Sequence, residues 1–77
     1  MDEFNNILHA VFKVPLEKIS DVLTPKDIPE WDSMNYLFFI SELEKKFGFS
    51  FTMDEVINAQ TVGDVRAVVL KRGKNNG

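Results

Sequence analysis

The sequence predicts an all-α fold: a small four-helix bundle with a long ordered loop between helices 1 and 2 and a short third helix. Three observations lead there. Apolar residues recur at helical spacing in separate stretches. Ser, Thr and Asp stand where helices should begin, and Gly or Pro where they should end. No stretch alternates long enough, or has a partner, to build a sheet. The chain has 77 residues and no cysteine, so it forms one domain without disulfides. A chain of this size buries only about 60% of its unfolded surface. Its stability must come from packing, and 44% apolar residues with seven Phe supply the material.

The first helix is expected over residues 2–13. Phe4, Ile7, Leu8, Val11 and Phe12 form one stripe, spaced as an amphipathic helix requires. Asp2 and Glu3 suit the positive end of the helix dipole. Pro15 closes the helix by disfavouring the helical region for Val14.

Residues 15–32 contain Pro15, Pro25 and Pro29, so no long helix fits. They also contain Leu16, Ile19, Val22, Leu23, Ile28 and Trp31, too many apolar groups for a solvated linker. The expectation is an ordered loop packed on the core. A helical turn is expected at Leu16–Val22 or after Thr24-Pro25.

The second helix is expected over 33–47, capped by Asp32 or Ser33 and stopped by Gly48. Phe39, Leu43 and Phe47, widened by Tyr36 and Ile40, are its core stripe. Phe47, Phe49 and Phe51 alternate with Gly48 and Ser50, and are read as an extended connector that pins Phe side chains into the core. Thr52-Met53-Asp54-Glu55 is a capping box with a Phe51/Val56 staple, opening a short helix over 53–59. Thr61 to Asp64 is a weaker version of the same pattern, opening a last helix over 62–71 with Val62, Val65 and Val69 inward. Gly63 costs that helix about 1 kcal/mol relative to Ala. The domain is expected to end at 71, with 72–77 a frayed polar tail.

Charge narrows the function classes. Residues 1–64 hold twelve acids and five bases, a balance of −7, whereas 65–77 hold four bases and no acid. An acidic body disfavours nucleic acid, whose phosphates demand Lys and Arg. No stretch approaches the roughly 20 apolar residues that span a bilayer, and no signal peptide is visible. A cytoplasmic, monomeric protein is expected, and the starting Met1 favours a free-standing one. Catalysis is not expected. The single histidine, His9, lies far from Ser33 in sequence and serves it as no base. The four glycines build no phosphate loop, and no metal cluster is apparent.

The informative segment is Trp31-Asp32-Ser33-Met34. Helix capping alone explains Asp-Ser before a periodic run. However, Met34, Leu37, Phe38 and Ser41 form a second stripe, offset from the core stripe, and an apolar stripe left exposed marks an interaction site. It begins beside a hydroxyl at a helix N-terminus, where free N–H groups and the dipole stabilise a phosphate ester.

These residues resemble the acyl carrier protein family. Asp32-Ser33-Met34 is similar to its Asp-Ser-Leu attachment motif. Leu43-Glu44-Lys45-Lys46-Phe47-Gly48 resembles the end of its second helix, and Thr61-Val62-Gly63-Asp64-Val65 the opening of its last. Phe12-Lys13-Val14 matches more weakly. The resemblance covers nearly the whole chain in order. It implies that Ser33 carries 4′-phosphopantetheine, placed there from coenzyme A by a magnesium-using phosphopantetheinyl transferase, and that the arm's thiol holds acyl groups as thioesters. Asp32 would cap the helix and present Ser33. Met34, Leu37 and Phe38, with Val56 and Ala59, would face partner enzymes: an acyl-loading ligase or acyltransferase, then synthases or transferases. Phe39, Leu43 and Phe47 would line any space for an acyl chain.

The departures point to a specialised member. Asn35 stands two after the serine where an acid is usual, Phe38 also replaces an acid, and Lys45 and Lys46 reverse charges near the helix end. Complementarity of charge sets partner choice and on-rate, so a dedicated partner set in a lipid, polyketide or polysaccharide-modifying pathway is expected, rather than general fatty-acid synthesis. An aminoacyl or peptidyl carrier, D-alanyl included, is the alternative within carriers. A helical interaction module without a prosthetic group is the alternative outside them.

Overall fold

A computed structural model describes residues 2–73 of the chain. Helix α1 (Asp2–Phe12) buries Phe4, Leu8 and Phe12 completely, with Ile7 and Val11 packed at the flanks. It stops one residue sooner than the proline alone requires. Lys13 turns left-handed at φ 62°, its N–H donates to the His9 carbonyl, and the His9 ring Nδ1 lies 2.8 Å from the Val14 carbonyl oxygen. His9 thus helps seal the end of its own helix.

Helix α2 (Ser33–Phe47) lies against α1. Asp32 is its N-cap, with a side-chain oxygen accepting the Asn35 N–H at 2.9 Å; Gly48 closes it in the left-handed region at φ 72°. Its buried residues are Phe39, Ile40, Leu43 and Phe47. Phe39 packs edge-on to Phe4, with ring centroids 5.6 Å apart, and lies 5.0 Å from Phe12. Phe12 stacks on Trp31 at 5.2 Å, and Trp31 on Tyr36 at 5.7 Å. One connected run of rings therefore joins α1, the loop and α2. Such contacts add about 0.5–1.5 kcal/mol per pair beyond the area buried.

The loop between them is ordered as expected. It holds a 3₁₀ turn at Leu16–Lys18 and a second turn at Thr24–Asp27, where the Asp27 carboxylate accepts the Thr24 N–H and hydroxyl. Ile28 and Trp31 enter the core. The loop also crosses the start of helix α4 (Val62–Arg72). There the Val62 N–H donates to the Leu23 carbonyl and the Gly63 N–H to the Asp21 carbonyl, both at 2.9 Å. The first N–H groups of a helix have no partner within it, and here the loop supplies two.

That contact explains Gly63. A Cβ at this position would come within 2.8 Å of the Asp21 Cβ and 3.0 Å of its carbonyl oxygen. Helix propensity alone says that Gly63→Ala should stabilise by about 1 kcal/mol. Overpacking typically costs about 1–3 kcal/mol. We therefore expect a net destabilisation of up to about 2 kcal/mol, measured as a lower urea midpoint. A stabilised Gly63→Ala would show that the loop yields freely.

Helix α3 (Met53–Asn58) and α4 each begin with a complete capping box, Thr52 with Glu55 and Thr61 with Asp64. Asp64, the shorter acid of the weaker pattern, also accepts the Gln60 N–H at 2.8 Å. Between α2 and α3, Phe49 and Phe51 lie half-buried with rings 4.8 Å apart, and the Glu44 carboxylate accepts the Phe51 N–H at 2.8 Å. The chain at 72 differs from the expected frayed tail. Arg72 ends α4, donates to the Ser50 carbonyl at 2.6 Å, pairs with Glu55 at 3.5 Å and lies over the Phe49 ring. A guanidinium near a helix C-terminus is favoured by the dipole, and this one also ties the connector down. The remainder of the expected tail, 74–77, lies outside the described residues.

Candidate functional site

Ser33 is the first residue of α2 and is exposed. The helix starts there because Asp32 adopts extended backbone, at φ −106° and ψ 179°, and holds the Asn35 N–H. Asp32, not Ser33, is thus the cap. The Ser33 hydroxyl makes no hydrogen bond among the described residues. The backbone N–H groups of Ser33 and Met34 also have none there, whereas Asn35 and Tyr36 donate to the Asp32 side chain and carbonyl. An ester on Ser33 would meet free donors and the positive end of a 15-residue helix.

Asn35 has a structural reason for being an amide. Its Nδ2 donates to the Glu30 carbonyl at 2.9 Å, fastening the end of the loop to the first turn of α2. An ionised acid has no proton to donate there.

The expected docking stripe divides in two. On α2, Met34, Leu37 and Phe38 are exposed at 80%, 57% and 53%. Ser41 is half-buried. On α3, Val56 and Ala59 are half-buried and packed against the core. Val56 also accepts the Tyr36 hydroxyl on its carbonyl at 2.7 Å, which joins α3 to α2. Burial, and secondarily the negative charge of Asp64, push the Tyr36 phenol above its ordinary pKa. The outward apolar residues of α3 are Met53 and Ile57, at 71% and 66% exposure. The capping box could have revealed them. It sets the helix register, the Phe51/Val56 staple turns Val56 inward, and Met53 and Ile57, four apart, share another face.

Phe39, Leu43 and Phe47 are sealed in the core. Besides a groove at the end of α2 lined by Ser41, Glu44, Lys45, Gly48, Phe49 and Ser50, two cavities lie elsewhere among the described residues. One of about 340 Å³ opens between α3 and α4, lined by Asp54, Glu55, Asn58, Ala59, Asp64, Ala67 and Val68. The other, of about 220 Å³, lies between the end of α1 and the loop, with Phe12, Leu23 and Ile28 in its walls. None of the three core-stripe residues lines either cavity. Among the described residues no group of three or more His, Cys, Asp and Glu could hold a metal ion, and no helix is long and apolar enough to cross a membrane.

No family model matches the chain, and no curated protein matches it. Among solved structures, it is similar to "a putative acyl carrier protein" from Mycobacterium tuberculosis, with a TM-score of 0.80 and 24% sequence identity over 91% of this chain and 93% of that one. The chain therefore has the fold of that structure along nearly its whole length.

Proposed function

We propose that the chain is a carrier protein whose Ser33 bears 4′-phosphopantetheine and which delivers acyl groups to partner enzymes. The observation that carries this reading is the Ser33 hydroxyl. It is exposed, engaged by no other side chain among the described residues and set at a helix start whose first N–H groups have no partner there, on a fold shared with a protein described as a carrier. Nothing in the local structure needs that hydroxyl, because Asp32 already caps the helix.

In the attachment step, the Ser33 Oγ attacks the phosphorus of coenzyme A that bears the pantetheine. A new P–O bond forms and the bond to the departing adenosine 3′,5′-bisphosphate breaks. The serine proton passes to a base of the transferase. The free N–H groups of Ser33 and Met34 then face the phosphodiester charge. The attached group supplies a thiol for thioester chemistry, which a chain without cysteine lacks. The protein's own part is to hold Ser33 at the rim of an apolar face and to present that face. Because loading draws on coenzyme A, the proposed location is the cytoplasm, and the proposed working unit is a monomer.

The exposed face of Met34, Leu37 and Phe38 on α2, with Met53 and Ile57 also exposed on α3, supports a specialised partner set. Lys45 lies beside Glu42, its ammonium 3.3 Å from the carboxylate, so the end of α2 offers little net negative charge. Docking on this surface would rest on apolar contact. Phe38→Glu tests this. At a half-exposed site it should change stability by no more than about 0.5 kcal/mol, while slowing transfer by the chain's partners about fivefold or more, the effect of losing more than about 1 kcal/mol of interface. If basic partner patches governed docking, the added acid would speed transfer instead.

The carrier reading is tested by intact mass. Incubation with coenzyme A, magnesium and a promiscuous phosphopantetheinyl transferase should add one phosphopantetheine. No gain on the wild-type chain would sink the proposal and leave a helical interaction module.

A further inference from the structure

Tyr36 stands three residues beyond Ser33 on α2, and residues three apart on a helix are neighbours, with about 5–6 Å between Cβ atoms. Its ring stacks on Trp31 at 5.7 Å, and Trp31 stacks in turn on Phe12. The ring is thereby fixed from the core side. Its hydroxyl reaches across to α3 and donates to the Val56 carbonyl at 2.7 Å. Burial, and secondarily Asp64, push the phenol above its ordinary pKa, so the donor is present at neutral pH.

The element that needs this bond is α3. It has six residues, well short of the roughly 12–15 at which a helix becomes even marginal on its own. The last four carbonyls of a helix have no partner within it. Val56 carries one of them, because the Gln60 N–H that would reach it turns to the Asp64 carboxylate instead, at 2.8 Å. The Tyr36 hydroxyl supplies the missing donor. On its other side α3 is loosely backed, since the cavity of about 340 Å³ lies between Asn58 and Ala59 on α3 and Ala67 and Val68 on α4. Tyr36 ties the helix to α2 at Val56, and Arg72 ties it to the end of α4 at Glu55.

We infer that Tyr36 is a positioning residue for docking: its hydroxyl sets where α3 presents Met53 and Ile57 relative to Ser33. The inference rests on the carrier reading. An enzyme that works on Ser33 meets the surface around it, and α3 is fastened to that surface through a residue one turn beyond the serine. Met53 and Ile57 point outward while Val56 and Ala59 are held against the core. Release of the Val56 carbonyl frees so short a helix to turn or fray, and its apolar pair then leaves the place that an enzyme reads.

Tyr36→Phe tests this, because it keeps the ring and removes the donor. The probe is a promiscuous phosphopantetheinyl transferase with coenzyme A and magnesium. Wild type and variant should both gain one phosphopantetheine, since Ser33 is untouched. Amide exchange across 53–60 should speed about fivefold or more, the net contribution of one hydrogen bond, with α1 and α4 unchanged. The transferase KM for the carrier should rise about threefold or more with kcat unchanged, as lost docking does and a lost nucleophile does not. Ile57→Ser should raise KM as well, without faster exchange. Combined with Tyr36→Phe it should add little more, because changes that act on one contact are not additive. Absence of any mass gain overturns the carrier reading and this role with it. A normal mass gain with unchanged α3 exchange shows that the bond holds nothing. Faster exchange with KM unmoved, or with additive effects of the two substitutions, leaves Tyr36 a structural tie and overturns the positioning role alone.

Discussion

Phe39→Ala should cost about 3–5 kcal/mol, the range for removing a buried Phe ring from a core. Phe39 is 1% exposed and makes the link between Phe4 and Phe12, so its loss parts the rings that join α1 to α2. A domain of this length has a total stability of about 4–12 kcal/mol at 0.05–0.15 kcal/mol per residue. The variant should therefore be largely unfolded at room temperature if the wild type lies near the low end, or melt far lower if it lies near the top. Urea titration followed by helical circular dichroism reads this, with the slope of the transition unchanged if the loss is native-state packing. The contrast with Phe38→Glu makes it sharp. The two residues are adjacent on α2, yet one is sealed and the other 53% exposed. A loss below about 1 kcal/mol for Phe39→Ala, or a collapse of Phe38→Glu, would mean that α2 is rotated from the position described.

Features set by neighbours in sequence were legible in advance. Asp32, Gly48, Thr52 with Glu55, and Thr61 with Asp64 act over a few residues, and the helices begin and end at them, within a residue, as the caps require. The core stripes of α1 and α2 follow from spacing for the same reason. Features made by segments meeting across the fold were not legible. Gly63 reads as a defect within its own helix and becomes a requirement only when Asp21 crosses it. Arg66 and Arg72 count as part of a basic end. Folded, Arg66 contacts Asp21 at 2.8 Å, Asn5 at 3.0 Å and the Phe4 ring, and Arg72 holds the connector before α3. Their charge is spent within the domain rather than offered to a partner. At the site, the position of Ser33 and the exposure of Met34, Leu37 and Phe38 were readable from one helix. On α3 the burial differs from the expected face, with Val56 and Ala59 half-buried and Met53 and Ile57 exposed, because a helix of six residues shows too little of its period to orient itself.

Ser33→Ala should abolish the phosphopantetheine mass gain completely while leaving the fold intact. The two halves of that expectation have separate causes. The gain requires an oxygen nucleophile at position 33, and alanine offers none. Stability requires the cap, which Asp32 provides through Asn35. Alanine is also the better helix former, by a few tenths of a kcal/mol at about this position. The net change should stay within about 0.5 kcal/mol. Asp32→Ala should show the reverse balance. Losing the cap costs about 0.5–2 kcal/mol, and the hydroxyl remains, so loading is slowed rather than lost. A mass gain that survives Ser33→Ala would move the attachment to another hydroxyl. A loss of several kcal/mol would mean that Ser33 does structural work that its exposure denies. Equal stability losses in the two variants would mean that the cap is shared, and that this serine is held in the chain by its fold as much as by its chemistry.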